Sequence, residues 1–130
     1  MKTLVLSILM GIASLAIGQD ITPKLVGALE SGNAGALSGM FTKNVDLTIL
    51  DDEDMYAQDE AKKRLATFFA SHKPQSFVIK HEGTSKLDDQ YRIGDLKTSN
   101  GTFRVTFFIK KNEQGMKVKQ FRIEDFDDDF

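Results

Sequence analysis

The sequence predicts an α+β fold, with helices in its first half and an antiparallel sheet in its second half. Before Pro74 most apolar residues recur at helical spacing, whereas after it they alternate with polar residues through four segments. Short turn sequences separate these segments, and Asn100-Gly101 is the strongest of them. Runs of helices followed by runs of strands are typical of helices packed on one face of a sheet.

Three helices are predicted. Thr22 has the properties of an N-cap, with Pro23 at the first helical position, and Gly32 and Asn33 end this helix and cap a second, short one. The clearest helix runs from Asp59 to His72. Its apolar face consists of Ala61, Leu65, Phe68 and Phe69.

One strand is predicted before the third helix, because Val45, Leu47 and Ile49 alternate with polar residues. It leads into the acidic run Asp51 to Asp54, which we interpret as a solvated turn. A calcium loop of the EF-hand type would need alternating ligands, a central glycine and a distal glutamate, and these are missing. With two histidines and no cysteine, the sequence predicts no metal site.

The second half predicts a four-stranded antiparallel meander. The expected strands are Ser76 to Gly83, Gln90 to Thr98, Thr102 to Lys111 and Met116 to Asp125. Alternation breaks near Lys119-Gln120, which predicts a β-bulge. The expected common core contains Leu65, Phe68, Phe69, Phe103, Val105, Phe107 and Ile109.

Phe108 stands out because alternation places it on the face opposite Phe107, away from the helices. A patch on that face is expected to contain Arg92, Arg104, Thr106, Phe108 and Lys110, with Phe121 as a further candidate. Arginine and aromatic residues are enriched at protein interfaces. We therefore predict a homodimer interface that includes Arg104, Thr106 and Phe108. Coverage of Phe108 by a loop or by the acidic tail, and simple exposure, are the alternatives.

The order of elements and several segments resemble a family of small exported bacterial proteins of unknown function within the nuclear transport factor 2-like superfamily. These segments are "ALESGNAGALSGMF", "VDLTILD", "ATFFASHKPQSFVIKHEG", "IGDLKTSNGTFRVTFFIKK" and "FRIE". The resemblance implies a cone-shaped fold, with three N-terminal helices on a strongly curved, mainly antiparallel sheet and an internal pocket. It also implies dimers formed through the outer face of the sheet, but no particular reaction.

No complete catalytic or cofactor motif is present, so we predict a non-enzymatic module without a cofactor. It would bind a small apolar or amphipathic ligand, or serve in assembly. Tyr56, His81 and Tyr91 are the candidate ligand-binding residues, with His81 and Tyr91 expected in register with Phe77, Ile79 and Ile93. The alternative is a small isomerase or lyase related to ketosteroid isomerase-like enzymes, which would use a pocket acid and base. Asp46 is interpreted as a solvent-side strand residue.

The first 18 residues have the order of a secretory signal peptide: Lys2, an apolar run from Leu4 to Ile17, and small residues before Gln19. The run is shorter than the roughly 20 apolar residues of a membrane-spanning helix. Residues 19–130 would then form one exported domain, periplasmic or secreted, with a short acidic tail. Without Lys2, 16 basic residues stand against 19 acidic ones, which does not favour binding of nucleic acid.

Export predicts a mature chain that begins at or near Gln19 and carries no lipid, because the chain has no cysteine to modify. The intact mass of the protein recovered from the periplasm or the medium measures this directly. A mass that still includes residues 1–18 would contradict the prediction.

Overall fold

The computed structural model describes residues 20–86, 89–113 and 115–126, and the predicted signal peptide lies outside these ranges. The α+β fold is confirmed, with three helices and six strands in the described residues. They are α1 (Thr22–Ser31), α2 (Ala34–Gly39), β1 (Phe41–Ile49), β2 (Asp52–Ala57), α3 (Gln58–Ser71), β3 (Pro74–Thr84), β4 (Gln90–Thr98), β5 (Gly101–Asn112) and β6 (Gly115–Asp125). Only α1 and α2 precede the sheet, because α3 follows β1 and β2.

All six strands form one curved sheet in the order β2-β1-β6-β5-β4-β3. The predicted meander is confirmed, since β3, β4, β5 and β6 pair antiparallel with their sequence neighbours. β1 lies parallel to β6, and β2 pairs antiparallel with β1 at the edge of the sheet. The first and the last described strand of the sequence are therefore neighbours inside the sheet.

The interpretation of the acidic run as a turn is wrong for most of its length. Asp52, Glu53 and Asp54 belong to β2, and the chain reverses at Leu50 and Asp51, where Leu50 has a φ of 56°. Consecutive acidic residues have low strand propensity and no alternating apolar pattern, so this strand has no sequence signal. Its edge position explains the composition, because charged side chains protect an edge strand from pairing with other chains.

The ends of the helices follow from their sequences, with one correction. Thr22 is the first residue of α1 and not its N-cap; Asp20 Oδ1 instead accepts hydrogen bonds from Thr22 N at 2.9 Å and Thr22 Oγ1 at 2.6 Å. Gly32 ends α1 with a φ of 65°, and Asn33 Oδ1 caps α2 by accepting from Ala36 N at 3.0 Å. Across the described ranges, no helix combines the length and apolar character that crossing a membrane requires.

The helices cover one face of the sheet, which we call the inner face. The predicted core is confirmed: Leu65, Phe68 and Phe69 of α3 belong to the same buried cluster as the residues of β5. The inward residues of β5 are Phe103, Val105, Phe107 and Ile109. The other side of the sheet is called the outer face, and Phe108 lies there as predicted.

Four phenylalanine rings cross the inner face from β3 to β1. The centroid of Phe107 lies 6.3 Å from that of Phe77 and 6.1 Å from that of Phe121, which is 5.5 Å from Phe41. The row passes over β4 at Gly94, where a Cβ atom would lie 2.6 Å from the ring of Phe77. A side chain at position 94 would therefore displace the first ring of the row.

Two residues that the sequence assigned to the outer patch do not lie there. Arg92 lies on the inner face and is only 8% exposed, so it does not belong to the outer patch. Phe121 is completely buried in the core. The bulge near Lys119 is confirmed, because Phe108 pairs with Gln120 and Ile109 with Val118, which leaves Lys119 without an opposite residue.

Replacing Phe107 by alanine is expected to lower the free energy of unfolding by about 3 to 5 kcal/mol, because the ring fills a closely packed interior. Chemical denaturation of the wild type and the variant measures the difference. Phe126→Ala is the matched control, since Phe126 is 41% exposed, and it should change stability by less than about 1 kcal/mol. A loss below about 1 kcal/mol for Phe107→Ala would contradict the packing described here.

Candidate functional site: the outer face of the sheet

The outer face carries side chains in rows that cross the strands. The first row contains Gly83, Tyr91, Phe108, Gln120, Asp46 and Met55. The second row contains His81, Ile93, Thr106, Arg122, Thr48 and Glu53. Directly opposite residues on adjacent strands are close enough for their side chains to interact. The outer face is thus a continuous mixed surface over all six strands.

Tyr91 and Phe108 form the aromatic centre of this face. They are directly opposite on β4 and β5, and their ring centroids are 6.0 Å apart. The ring of Tyr91 lies against Gly83 of β3, where a Cβ atom would come within 2.7 Å of the phenolic oxygen. Both aromatic residues are only partly buried. The glycine lets the tyrosine lie flat on the sheet and presents a broad apolar surface.

Charged residues of both signs surround the aromatic centre. Gln120 Nε2 donates to Asp46 Oδ2 at 3.2 Å, which places Asp46 on the outer face as expected. Arg122 Nη2 lies 3.1 Å from Glu124 Oε2. Arg104 is directly opposite Asp95 on β4. The result is an apolar centre with a polar rim, the arrangement found at protein interfaces.

The large apolar side chains that are most exposed in the described residues also lie on this side of the sheet. Met55 is 58% exposed and Val78 is 52% exposed, and both occupy outward positions. Phe126 follows β6, and its ring centroid is 5.5 Å from the Arg104 guanidinium carbon. All three are on the outer face, with Met55 and Val78 on the two strands at its opposite edges.

The three predicted ligand-binding residues do not lie together. Tyr56 is on β2, at one edge of the sheet, and its side chain is on the inner side. His81 and Tyr91 are on the outer face at the other edge, so their predicted register with Phe77 and Ile79 is wrong. The cause is a bulge in β3 between Ile79 and His81, together with the register of β4 on β5.

Tyr56 belongs to a polar cluster beside α3. Its hydroxyl donates to Asp52 Oδ1 at 2.8 Å, and Arg64 contacts the other oxygen of Asp52. Arg64 also lies 3.3 Å from Glu60 and 4.4 Å from the centroid of the Tyr56 ring. The hydrogen bond to Asp52 raises the pKa of Tyr56 above 10.0, because the phenolate could not donate it, and Arg64 acts in the opposite direction.

Two open clefts on the inner side contain ionisable residues. One has a volume of about 410 Å³, follows α3 beside β1 and β2, and includes Asp52, Arg64 and His72. The other has a volume of about 460 Å³ and is bordered by the β3–β4 hairpin and Asp20. The buried core between the helices and the sheet is occupied by the row of phenylalanine rings.

Sequence reasoning missed the polar wall of the second cleft. On the inner face, Glu82 of β3 is directly opposite Arg92 of β4, and Thr84 is directly opposite Gln90. On each strand the two polar residues are at positions i and i+2 of the segment "EGTSKLDDQYR", and this alternation is the signal that the sequence offers.

In residues 20–86, 89–113 and 115–126 there is no group of three or more side chains suited to holding a metal ion.

Comparison with solved structures identifies the fold. A nuclear transport factor 2-like protein of unknown function from Cytophaga hutchinsonii matches with a TM-score of 0.60 and 13% identity, covering 85% of this chain and 92% of that one. At this identity the likeness shows the fold alone. The curved sheet with its helices is thus a nuclear transport factor 2-like fold.

The family is narrower than the fold. Residues 22–124 match the model described as "Domain of unknown function (DUF4783)", and the chain belongs to that family. A DUF4783 family protein from Bacteroides fragilis is 32% identical with a TM-score of 0.75, covering 82% of this chain and all of its own. A DUF4783 family protein from Bacteroides uniformis is 31% identical with a TM-score of 0.76, covering 84% of this chain and 100% of its own. No curated protein matches the chain.

The Tyr56 cluster gives a direct test of the site geometry. In a Tyr91→Phe background Tyr56 is the single tyrosine, and its tyrosinate absorbance should titrate above pH 10.0. Adding Asp52→Asn should lower the pKa of Tyr56, because the negative charge that favours the neutral phenol is removed. A titration midpoint that Asp52→Asn leaves unchanged would show that the hydrogen bond is absent in solution.

Proposed function

We propose that the protein is an exported, non-enzymatic binding and assembly module that forms a homodimer through the outer face of its sheet. The observation that carries this proposal is the aromatic pair Tyr91 and Phe108, which lies partly exposed in the middle of a face that the described helices do not cover. A second copy would bury these rings against their own symmetry mates or neighbours.

The charges of the outer face suit contact with an identical face. Its outward positions carry acidic residues (Asp46, Asp95, Glu124) and basic ones (Lys97, Arg104, Lys110, Arg122). With a two-fold axis near Phe108, one half of the outer face of each subunit contacts the other half of the outer face of its partner. Opposite charges can then pair across the interface. A strongly one-signed face would instead repel a second copy.

The edges of the sheet are less suited to assembly than its face. β2 presents consecutive acidic residues at one edge. At the other edge, Glu30 Oε2 accepts from Phe77 N at 3.2 Å, and β3 is interrupted by its bulge. These features are typical of strands protected from edge-to-edge pairing. The face therefore supports the dimer better than strand addition does.

A small apolar or amphipathic ligand remains the second part of the proposal, and its site would be the open cleft beside α3, whose lining includes Ile49 and Phe68. The alternative, a small isomerase or lyase, would require a base and an acid that converge on a substrate. Tyr56 lies on a different strand and face from His81 and Tyr91, and Asp52 and Tyr56 are hydrogen-bonded to each other. This arrangement favours the binding module.

Replacing Phe108 by aspartate is expected to convert the dimer into a monomer, because it would place two buried charges near the axis without partners. Sedimentation of the mature wild type at high micromolar concentration comes first, and it should show a dimer. The variant should retain the wild-type circular dichroism spectrum, since Phe107 and the rest of the core are untouched.

Thr67→Asp is the matched control, because Thr67 is exposed on α3, on the other side of the sheet. It adds the same charge and should leave the dimer intact. A wild-type protein that sediments as a monomer would refute the dimer. Equal dissociation of the Thr67→Asp and Phe108→Asp variants would show that net charge, and not the outer face, controls association.

A further inference from the structure

The cleft at the β3–β4 hairpin has the composition of a binding site. Its wall consists of polar residues at successive inner-face positions: Glu82, Thr84, Gln90 and Arg92. Asp20 and Met116 complete the lining. The volume of about 460 Å³ lies within the range of small-molecule sites, which is about 300 to 1,000 Å³.

Arg92 is the central residue of the cleft. It is directly opposite Phe107 on β5, so a cation lies next to the apolar core, and burying a cation is unfavourable unless it is paired. Its Nη1 donates to Tyr91 O at 2.9 Å and its Nη2 to Gln90 Oε1 at 3.1 Å. These bonds fix the plane of the guanidinium in advance of any ligand.

The guanidinium still has N–H donors to offer, because such a group carries five of them. Its buried Nε lies 3.2 Å from Glu82 Oε1. The bonds to Tyr91 and Gln90 use one N–H each of Nη1 and Nη2, so one N–H on each of these two atoms remains. The orientation of Arg92 is therefore held by its neighbours while part of its donor capacity remains for another molecule.

The charges of the cleft are of both signs, with two carboxylates and one guanidinium. Glu82 and Asp20 are carboxylates, and hydrogen bonds from Thr22 are the main cause that holds the pKa of Asp20 below its ordinary value. An anionic ligand would meet these two carboxylates, and a cationic ligand would meet Arg92. A neutral ligand with several hydroxyl groups avoids both repulsions, since each hydroxyl can donate to a carboxylate and accept from Arg92 or Gln90.

From this geometry we infer that the cleft of Glu82, Thr84, Gln90 and Arg92 binds a neutral polyhydroxylated small molecule of the size of a mono- or disaccharide. Met116 supplies an apolar contact for a CH-rich face of the ligand. The cleft is not on the outer face, and it shares no lining residue with the cleft beside α3, so this binding is separate from the proposed dimer and from an apolar ligand in that second cleft.

Titration of the isotopically labelled protein, followed by the backbone amide signals in NMR spectra, tests this inference. The neutral probes are glucose, galactose and maltose, and the charged probes are glucosamine and glucuronate. At least one neutral probe should cause saturable shifts at Gly83, Thr84 and Gln90, with an affinity about tenfold or more above that of either charged probe. The absence of saturable shifts with all neutral probes up to about 50 mM would overturn the inference.

Two variants separate binding from folding. Thr84→Val keeps the shape of an exposed side chain and removes its hydroxyl. It should lower the affinity for the tightest-binding neutral probe about threefold or more. Arg92→Met should lower the affinity for the same probe about tenfold or more. Lys62→Met, at an exposed position of α3 outside the cleft, is the control, since it also removes one positive charge, and it should leave the affinity unchanged. Affinity that survives in folded Thr84→Val and Arg92→Met proteins, or preference for a charged probe, would overturn the inference.

Discussion

The row of four phenylalanine rings is the interaction on which the rest of the structure depends. Phe77, Phe107, Phe121 and Phe41 come from strands that are far apart in the sequence, yet their rings form one continuous line over the inner face. Burying such rings contributes several kcal/mol each, and their packing fixes which residues of each strand face the helices. Because side chains alternate along a strand, the same packing also determines every outward residue.

Along one row of directly opposite residues, the inner face changes from polar to apolar. Arg92 of β4 is followed by Phe107, Phe121 and Leu47 on the next strands, so polar wall and apolar core meet between β4 and β5. Glu82 stands beside Arg92 on β3 and continues the polar part. The core therefore closes the centre of the sheet, while one corner keeps a cleft lined by hydrogen-bonding groups. A fold of this kind can separate an assembly surface from a ligand site by using opposite faces.

The sequence predicted the elements well wherever alternation was strict. The segment from Phe103 to Ile109 assigned both faces of β5, and the break near Lys119 located the bulge. The faces of β4 could not be assigned in this way. The apolar character of Tyr91 and Ile93 suggests the inner face and the charge of Arg92 the outer face, but pairing with β5 places these residues the other way round. β2 was missed because its acidic residues resemble a turn. Tyr56 was grouped with His81 and Tyr91, but strand pairing places it at the opposite edge and on the opposite face of the sheet.

The parallel pairing of β1 with β6 has a consequence for the order in which the chain can acquire its structure. β1 forms early in synthesis, but its neighbour in the middle of the sheet spans Gly115–Asp125, almost at the end of the sequence. Until those residues are available, Phe41 and Leu47 lack the partners Val118 and Phe121. Contacts that join distant segments form slowly, because a long loop must close before any of them is made. The core thus stays incomplete until β6 is available, whereas the β4–β5 hairpin can form from local contacts alone.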